Sequence, residues 1–150
     1  MHKCNCILNL PGFTIKKVSG HQPILFELEY HKKPHCPHCN SRHVRKKDSF
    51  IREVKHEMLG HRTSLLRFKA FKLYCNDCKR YGNQQFPGIG KHQRATHRLQ
   101  AQIFHQHTKG ISQKDLSQSF QLGKATIERW YHHHYQLKER EILNAPCPTV

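Results

Sequence analysis

Two short cysteine pairs, Cys36-Pro37-His38-Cys39 and Cys75-Asn76-Asp77-Cys78, constrain this chain more than any other feature. Each has the spacing of a knuckle, a tight turn that aims two thiolates at one ion. Two knuckles brought together complete a tetrahedral four-sulfur site of the structural zinc type, with no coordination position left open for chemistry. Thirty-five residues separate Cys39 from Cys75, a length that a two-stranded excursion can travel out and back. Two unrelated buried or redox-active pairs are the competing reading. The identical spacing, and the extended segments beside both pairs, favour metal.

The other cysteines agree with a reducing compartment. There are seven in all, an odd number with no secretory signal, which argues against a disulfide framework. Cys4-Asn5-Cys6 and the isolated Cys147 read as thiols without a fixed geometry. No stretch approaches the roughly 18 apolar residues of a spanning helix, so no membrane is expected. The chain reads as soluble and cytoplasmic.

Charge narrows the partners. Lys and Arg total 26 against 10 Asp and Glu, a formal net charge of +16, and 15 histidines add to it as pH falls. Such a field collects polyanions. With 36% hydrophobic residues in 150, small metal-stapled modules are expected rather than one large core.

The periodicity changes along the chain. Ile24, Phe26, Leu28 and Tyr30 alternate with Leu25, Glu27 and Glu29, the period of a half-buried strand. They follow Phe13, Ile15 and Val18 across a Ser19-Gly20 turn, predicting a hairpin over 12–30. Residues 31–47 read as polar and basic. A second strand pair is predicted at Phe50–Met58 and Ser64–Tyr74, turning at Leu59-Gly60-His61, with a bulge at Phe71 where the alternation slips. The glycines of 79–91 mark a module boundary. Beyond it Ala95, Leu99 and Ile103 repeat at helical spacing, and Gly110 is placed to end that helix.

Ser112-Gln113-Lys114-Asp115 then reads as a capping-box variant. Leu116, Phe120, Leu122, Ile127 and Trp130 follow with the spacing of a helix-turn-helix, with Ser117 at the crossing. Gln121 stands where glycine often sits. A second helix starting near Lys124 would present Lys124, Ala125, Glu128, Arg129 and His132 to a major groove, Arg129 to guanine and Lys124 to phosphate. An ordinary helix pair packing on another protein is the rival reading. His132-His133-His134 and His105-Gln106-His107 lack the spacing to grip one ion, because neighbouring helical side chains point about 100° apart.

The ensemble resembles the N-terminal region of insertion-sequence transposases of the ISL type. Leu10-Pro11-Gly12, Pro34-His35-Cys36-Pro37-His38-Cys39-Asn40-Ser41, Tyr74-Cys75-Asn76-Asp77-Cys78 and residues 111–130 carry the resemblance. It implies binding of double-stranded DNA at the element's terminal inverted repeats, in a bacterial, nucleoid-associated setting. It also implies a following RNase H-like domain whose three carboxylates perform strand transfer. The sequence closes at Pro146-Cys147-Pro148-Thr149-Val150, where the first catalytic strand would be entered. The expectation is therefore a truncated transposase that is not an enzyme by itself, partnered by a second copy or by full-length transposase.

The expected architecture is α+β: a β-rich, zinc-ribbon-like module over 1–90, a helix-turn-helix module over 91–143, and a tail at 144–150. Zinc would be held by Cys36, Cys39, Cys75 and Cys78. An RNA-binding zinc-ribbon protein, with bases stacked on Phe68, Phe71 and Tyr74, is the alternative, beside a zinc-dependent transcriptional regulator and a protein adaptor.

Overall fold

A computed structural model describes residues 5–146; Cys4 and Cys147 lie outside them. The chain forms two compact units, the first ending at His97 and the second starting at Arg98.

The first unit is one sheet. Its strands are β1 (Phe13–Ser19), β2 (Ile24–Tyr30), β3 (Val44–Leu59), β4 (Arg62–Cys75) and the short β5 (Tyr81–Asn83). The spatial order is β1-β2-β4-β3, and β5 pairs with β4. The hairpin predicted over 12–30 is present, with Gly20 at φ 74° in its turn. The second hairpin closes at Gly60, φ 64°, a left-handed conformation that costs glycine least.

Two features depart from the pattern of the sequence. β2 runs parallel to β4, pairing Ile24 with Ser64 and Leu28 with Phe68. β3 also begins at Val44, six residues before the predicted Phe50. Its added length, Arg45-Lys46-Lys47-Asp48, is exposed on both faces, so it carries no apolar alternation to read. The predicted bulge at Phe71 belongs instead to the opposite strand. Lys46 pairs with Leu73 and Asp48 with Lys72, which leaves Lys47 as the additional residue. The slip at Phe71 is nonetheless real, because the buried positions of β4 change parity from Leu66, Phe68 and Ala70 to Leu73 and Cys75.

The core lies on the face shared by Phe26, Val54, Leu66 and Phe68. Phe86, from the glycine-bearing segment after β5, closes it. Its ring lies 4.9 Å from Phe68 and 5.0 Å from Tyr30, both edge-on, a geometry that aromatic quadrupoles favour. Residues of the predicted boundary thus pack on the sheet. Ala95 does as well: it bridges to Lys55, and the Thr96 amide donates to the Lys55 carbonyl at 2.9 Å. Ala95 therefore precedes the helix to which its spacing with Leu99 and Ile103 assigned it.

The second unit has three helices, α1 (His97–Thr108), α2 (Gln113–Phe120) and α3 (Lys124–Leu143). Gly110, at φ 97°, follows the end of α1. Leu116, Phe120 and Ile127 are buried, while Leu122 and Trp130 are half-buried. Ser112 caps α2: its hydroxyl accepts the Asp115 amide at 3.1 Å and donates to the Asp115 carboxylate at 2.6 Å. The carboxylate thus accepts the hydroxyl's hydrogen bond rather than reaching back to the Ser112 amide.

Gln121 ends α2 in the left-handed region at φ 52°, and Gly123 sits extended at φ −65° as the N-cap of α3. Ser117 secures the turn by donating its hydroxyl to the Leu122 carbonyl at 2.6 Å. A side chain at a left-handed position costs about 1 kcal/mol relative to glycine. Gln121→Gly is expected to stabilise the second unit by about 0.5–1 kcal/mol in urea unfolding followed by circular dichroism. A loss of stability would show that the Gln121 side chain outweighs its backbone strain.

Candidate metal centre and nucleic-acid interface

The two knuckles are built alike. The Cys36 amide donates to the Ser41 carbonyl at 2.8 Å and the Cys75 amide to the Arg80 carbonyl at 3.0 Å, the same five-residue closure in each. Asn40 and Lys79, each four residues past the first cysteine of its pair, both turn left-handed, at φ 58° and 56°. Each loop thereby curls its two sulfurs inward. The knuckles are locked together by Asp77, which accepts hydrogen bonds from the Ser41 hydroxyl and from the His43 ring at 3.2 Å. These two partners hold its carboxyl below the usual range. The His38 ring also meets the Tyr81 carbonyl at 3.0 Å.

The four sulfurs converge. Cys36 and Cys78 are 3.5 Å apart, Cys39 and Cys75 are 3.6 Å apart, and all four lie within 4.8 Å of one another. A zinc ion with bonds of about 2.3 Å sets a tetrahedral sulfur edge of about 3.8 Å, so the cluster has the dimensions of such a site. Its thiols do not share one electrostatic setting. Burial opposes ionisation of Cys36, yet the amides of Cys39 and His38 outweigh it and bring the thiol down to about 6. Burial and the neighbouring sulfurs push Cys78 up to about 12. Cys75 is likewise lowered, chiefly by the Cys78 amide, while Cys39 is raised, so each knuckle pairs one thiol held down with one held up.

Among the described residues, these cysteines are the one group of three or more potential ligands close enough to share an ion. Cys6 is exposed. Both sequence-predicted knuckles therefore meet, and zinc has a structural role here. One contributor escaped the sequence reading. A Cβ on Gly82 would lie 2.4 Å from Pro37 Cγ, so β5 approaches the first knuckle only because residue 82 has no side chain. The signal was present, as a glycine four residues past Cys78.

In the second unit, Lys124, Ala125, Glu128, Arg129 and His132 are all exposed, while Ile127 between them is fully buried. The spacing places them on one outward face of α3. Glu128 and His132 lie 3.9 Å apart across one helical turn. Of the rings considered for base stacking, Phe68 is only 2% exposed and Phe71 and Tyr74 are half-buried. Phe68 is core, and the other two carry lysines over their faces.

A four-sulfur ribbon and a capped helix-turn-helix on a strongly basic chain are the parts of a zinc-binding, DNA-binding protein. Residues 32–78 match the family model described as zinc-finger of transposase IS204/IS1001/IS1096/IS1165. Residues 84–135 match the helix-turn-helix domain of transposase family ISL3. The two matches follow each other in order over most of the described chain, and the chain belongs to the ISL3 transposase family. No curated protein and no solved structure matches it. Residues 32–135 are thus the zinc-ribbon and helix-turn-helix portion of such a transposase, and both matched parts are DNA-binding modules.

Structural zinc in small modules contributes on the order of 10–16 kcal/mol. Native mass spectrometry is expected to find one zinc per chain. Cys75→Ser should lose the ion and the sheet signal in circular dichroism, leaving the helical signal largely in place. Retention of a folded sheet without metal would remove zinc from its structural role.

Proposed function

We propose that this chain recognises the terminal inverted repeats of an insertion sequence, with α3 as the reading element. The observation that carries the proposal is the outward face of α3, where Lys124, Ala125, Glu128, Arg129 and His132 stand free of the buried seam. Near the N-terminus of a recognition helix, such side chains reach base edges. Arg129 offers the planar donor pair that matches guanine, and Lys124 a point charge for phosphate. The zinc ribbon is a rigid second module on the same DNA.

We assign no strand-transfer step to these residues. A two-metal phosphoryl transfer needs convergent carboxylates, and Asp77 and Asp115 are engaged in the knuckles and the α2 cap. The chain would serve as the DNA-recognition part of a transposition complex, beside a second copy or a full-length transposase. No helix is long and apolar enough to cross a membrane, and the bacterial nucleoid is the proposed place of action. We propose module limits near 1–90, 91–143 and 144–150, with the segment up to His97 docked on the sheet.

Gel shifts with the inverted repeats and a scrambled duplex test this reading. Arg129→Ala should cut the preference for the repeat by about 1–3 kcal/mol. Lys124→Ala should weaken both duplexes alike. Equal wild-type affinity for the two duplexes would refute sequence recognition.

A further inference from the structure

The extra length of β3 creates a surface that neither the zinc site nor the helix-turn-helix uses. β3 is the outer strand of the sheet, and its first residues, from Arg45 to Phe50, are exposed. Lys46 and Lys69 both lie over the Phe71 ring, at 4.1 and 5.6 Å from its centre. Lys47 lies over Tyr74 and Lys72 over Tyr81, each at 5.6 Å, and those two rings pack 4.9 Å apart. With Arg45, which pairs with Tyr74 across the ladder, five cations surround the zinc-proximal end of the hairpin.

Acidic groups offset only part of this charge, with Asp48 opposite Lys72 on the ladder. Asp48 is the one carboxylate between Val44 and Arg52, and it accepts the Ser49 amide at 2.7 Å. Glu29 and Glu53 pair with Lys16 and Arg67 instead. The four lysines are placed over rings, and all four residues are exposed. A cation over a ring face also covers the surface on which an unpaired base would stack. The patch therefore presents positive charge, with Tyr81 exposed beside it.

We propose that the β3 edge from Arg45 to Lys47, with Lys69 and Lys72 of β4, is a second DNA-binding surface that holds the phosphate backbone of duplex DNA without reading sequence. The inference rests on the DNA-binding reading above for the identity of the polyanion, and it is independent of which bases α3 recognises. Lysines contribute here as point charges, and each phosphate neutralised releases condensed counterions.

The test is the salt dependence of binding to a random-sequence duplex, measured by fluorescence anisotropy on the zinc-loaded chain. Replacing Lys46, Lys47, Lys69 and Lys72 with Gln should flatten the slope of log affinity against log salt by about 0.9 for each phosphate no longer neutralised, up to about 3.6. The variant Lys46→Gln with Lys47→Gln, should the fourfold change disturb the sheet, should remove up to about 1.8 of it. Fourfold replacement with Arg should keep the wild-type slope. The ratio of inverted-repeat to scrambled affinity, which reports on α3, should stay constant throughout. An unchanged slope in a folded, zinc-loaded Gln variant overturns the proposal, as does a weakening confined to single-stranded RNA or DNA.

Discussion

Four sulfurs at the open end of a long hairpin set the terms for the rest of the first unit. β3 and β4 run side by side from Val44 opposite Cys75 to the turn at Gly60. A two-stranded ribbon of that length is weakly specified in register by itself, and a shift of one residue turns every side chain to the other face. The chain fixes register at both ends. Gly60 closes one, and the knuckles close the other, because Val44 follows the first knuckle and Cys75 opens the second. Between these clamps Val54, Leu66 and Phe68 must face the core. The bulge at Lys47 is accommodated next to the metal, where covalent reach rather than apolar packing decides the geometry.

The helical unit is held differently. Its seam is short, with Leu116, Phe120 and Ile127 as the fully buried contributions from α2 and α3, so local hydrogen bonding carries more of the specification. Ser112 and Asp115 satisfy one end of α2, and Ser117 and the left-handed Gln121 shape the other. α1 adds an aromatic contact, its Phe104 ring stacking on Tyr131 of α3 at 5.3 Å. Rigidity matters for a reader of base edges, since a side chain such as Arg129 discriminates only if its helix is held in one orientation.

Much of this was legible in the sequence, for identifiable reasons. The knuckles could be read because zinc demands fixed spacing. The hairpin at 12–30 could be read because one of its faces is buried and its alternation is clean. The capping residues of α2 and the seam positions follow from the helical repeat. The start of β3 was hidden, since Arg45 to Asp48 face solvent on both sides and leave no pattern. The parallel pairing of β2 with β4 was also hidden, because register between distant strands depends on the whole packed face. Ala95 shows the limit of periodicity: its spacing with Leu99 and Ile103 is helical, yet a strand-like bridge to Lys55 claims it first.

The hidden segment bears on function as well. An exposed edge strand is a hazard, because its unpaired amides and carbonyls can recruit another chain, and lysine on such an edge is a common protection. At the start of β3 the same residues meet a second requirement of a DNA-binding protein, a dense positive field at a rigid position. Lysines lying over Phe71, Tyr74 and Tyr81 have their stems shielded while their charges stay at the surface, which reduces the entropy lost when they meet an anion. Protection of the edge and attraction of phosphate thus need the same side chains. The stretch of β3 before Phe50, which carries the first knuckle to the second through the pairing of Val44 with Cys75, thereby also sets a charged ledge beside the four sulfurs.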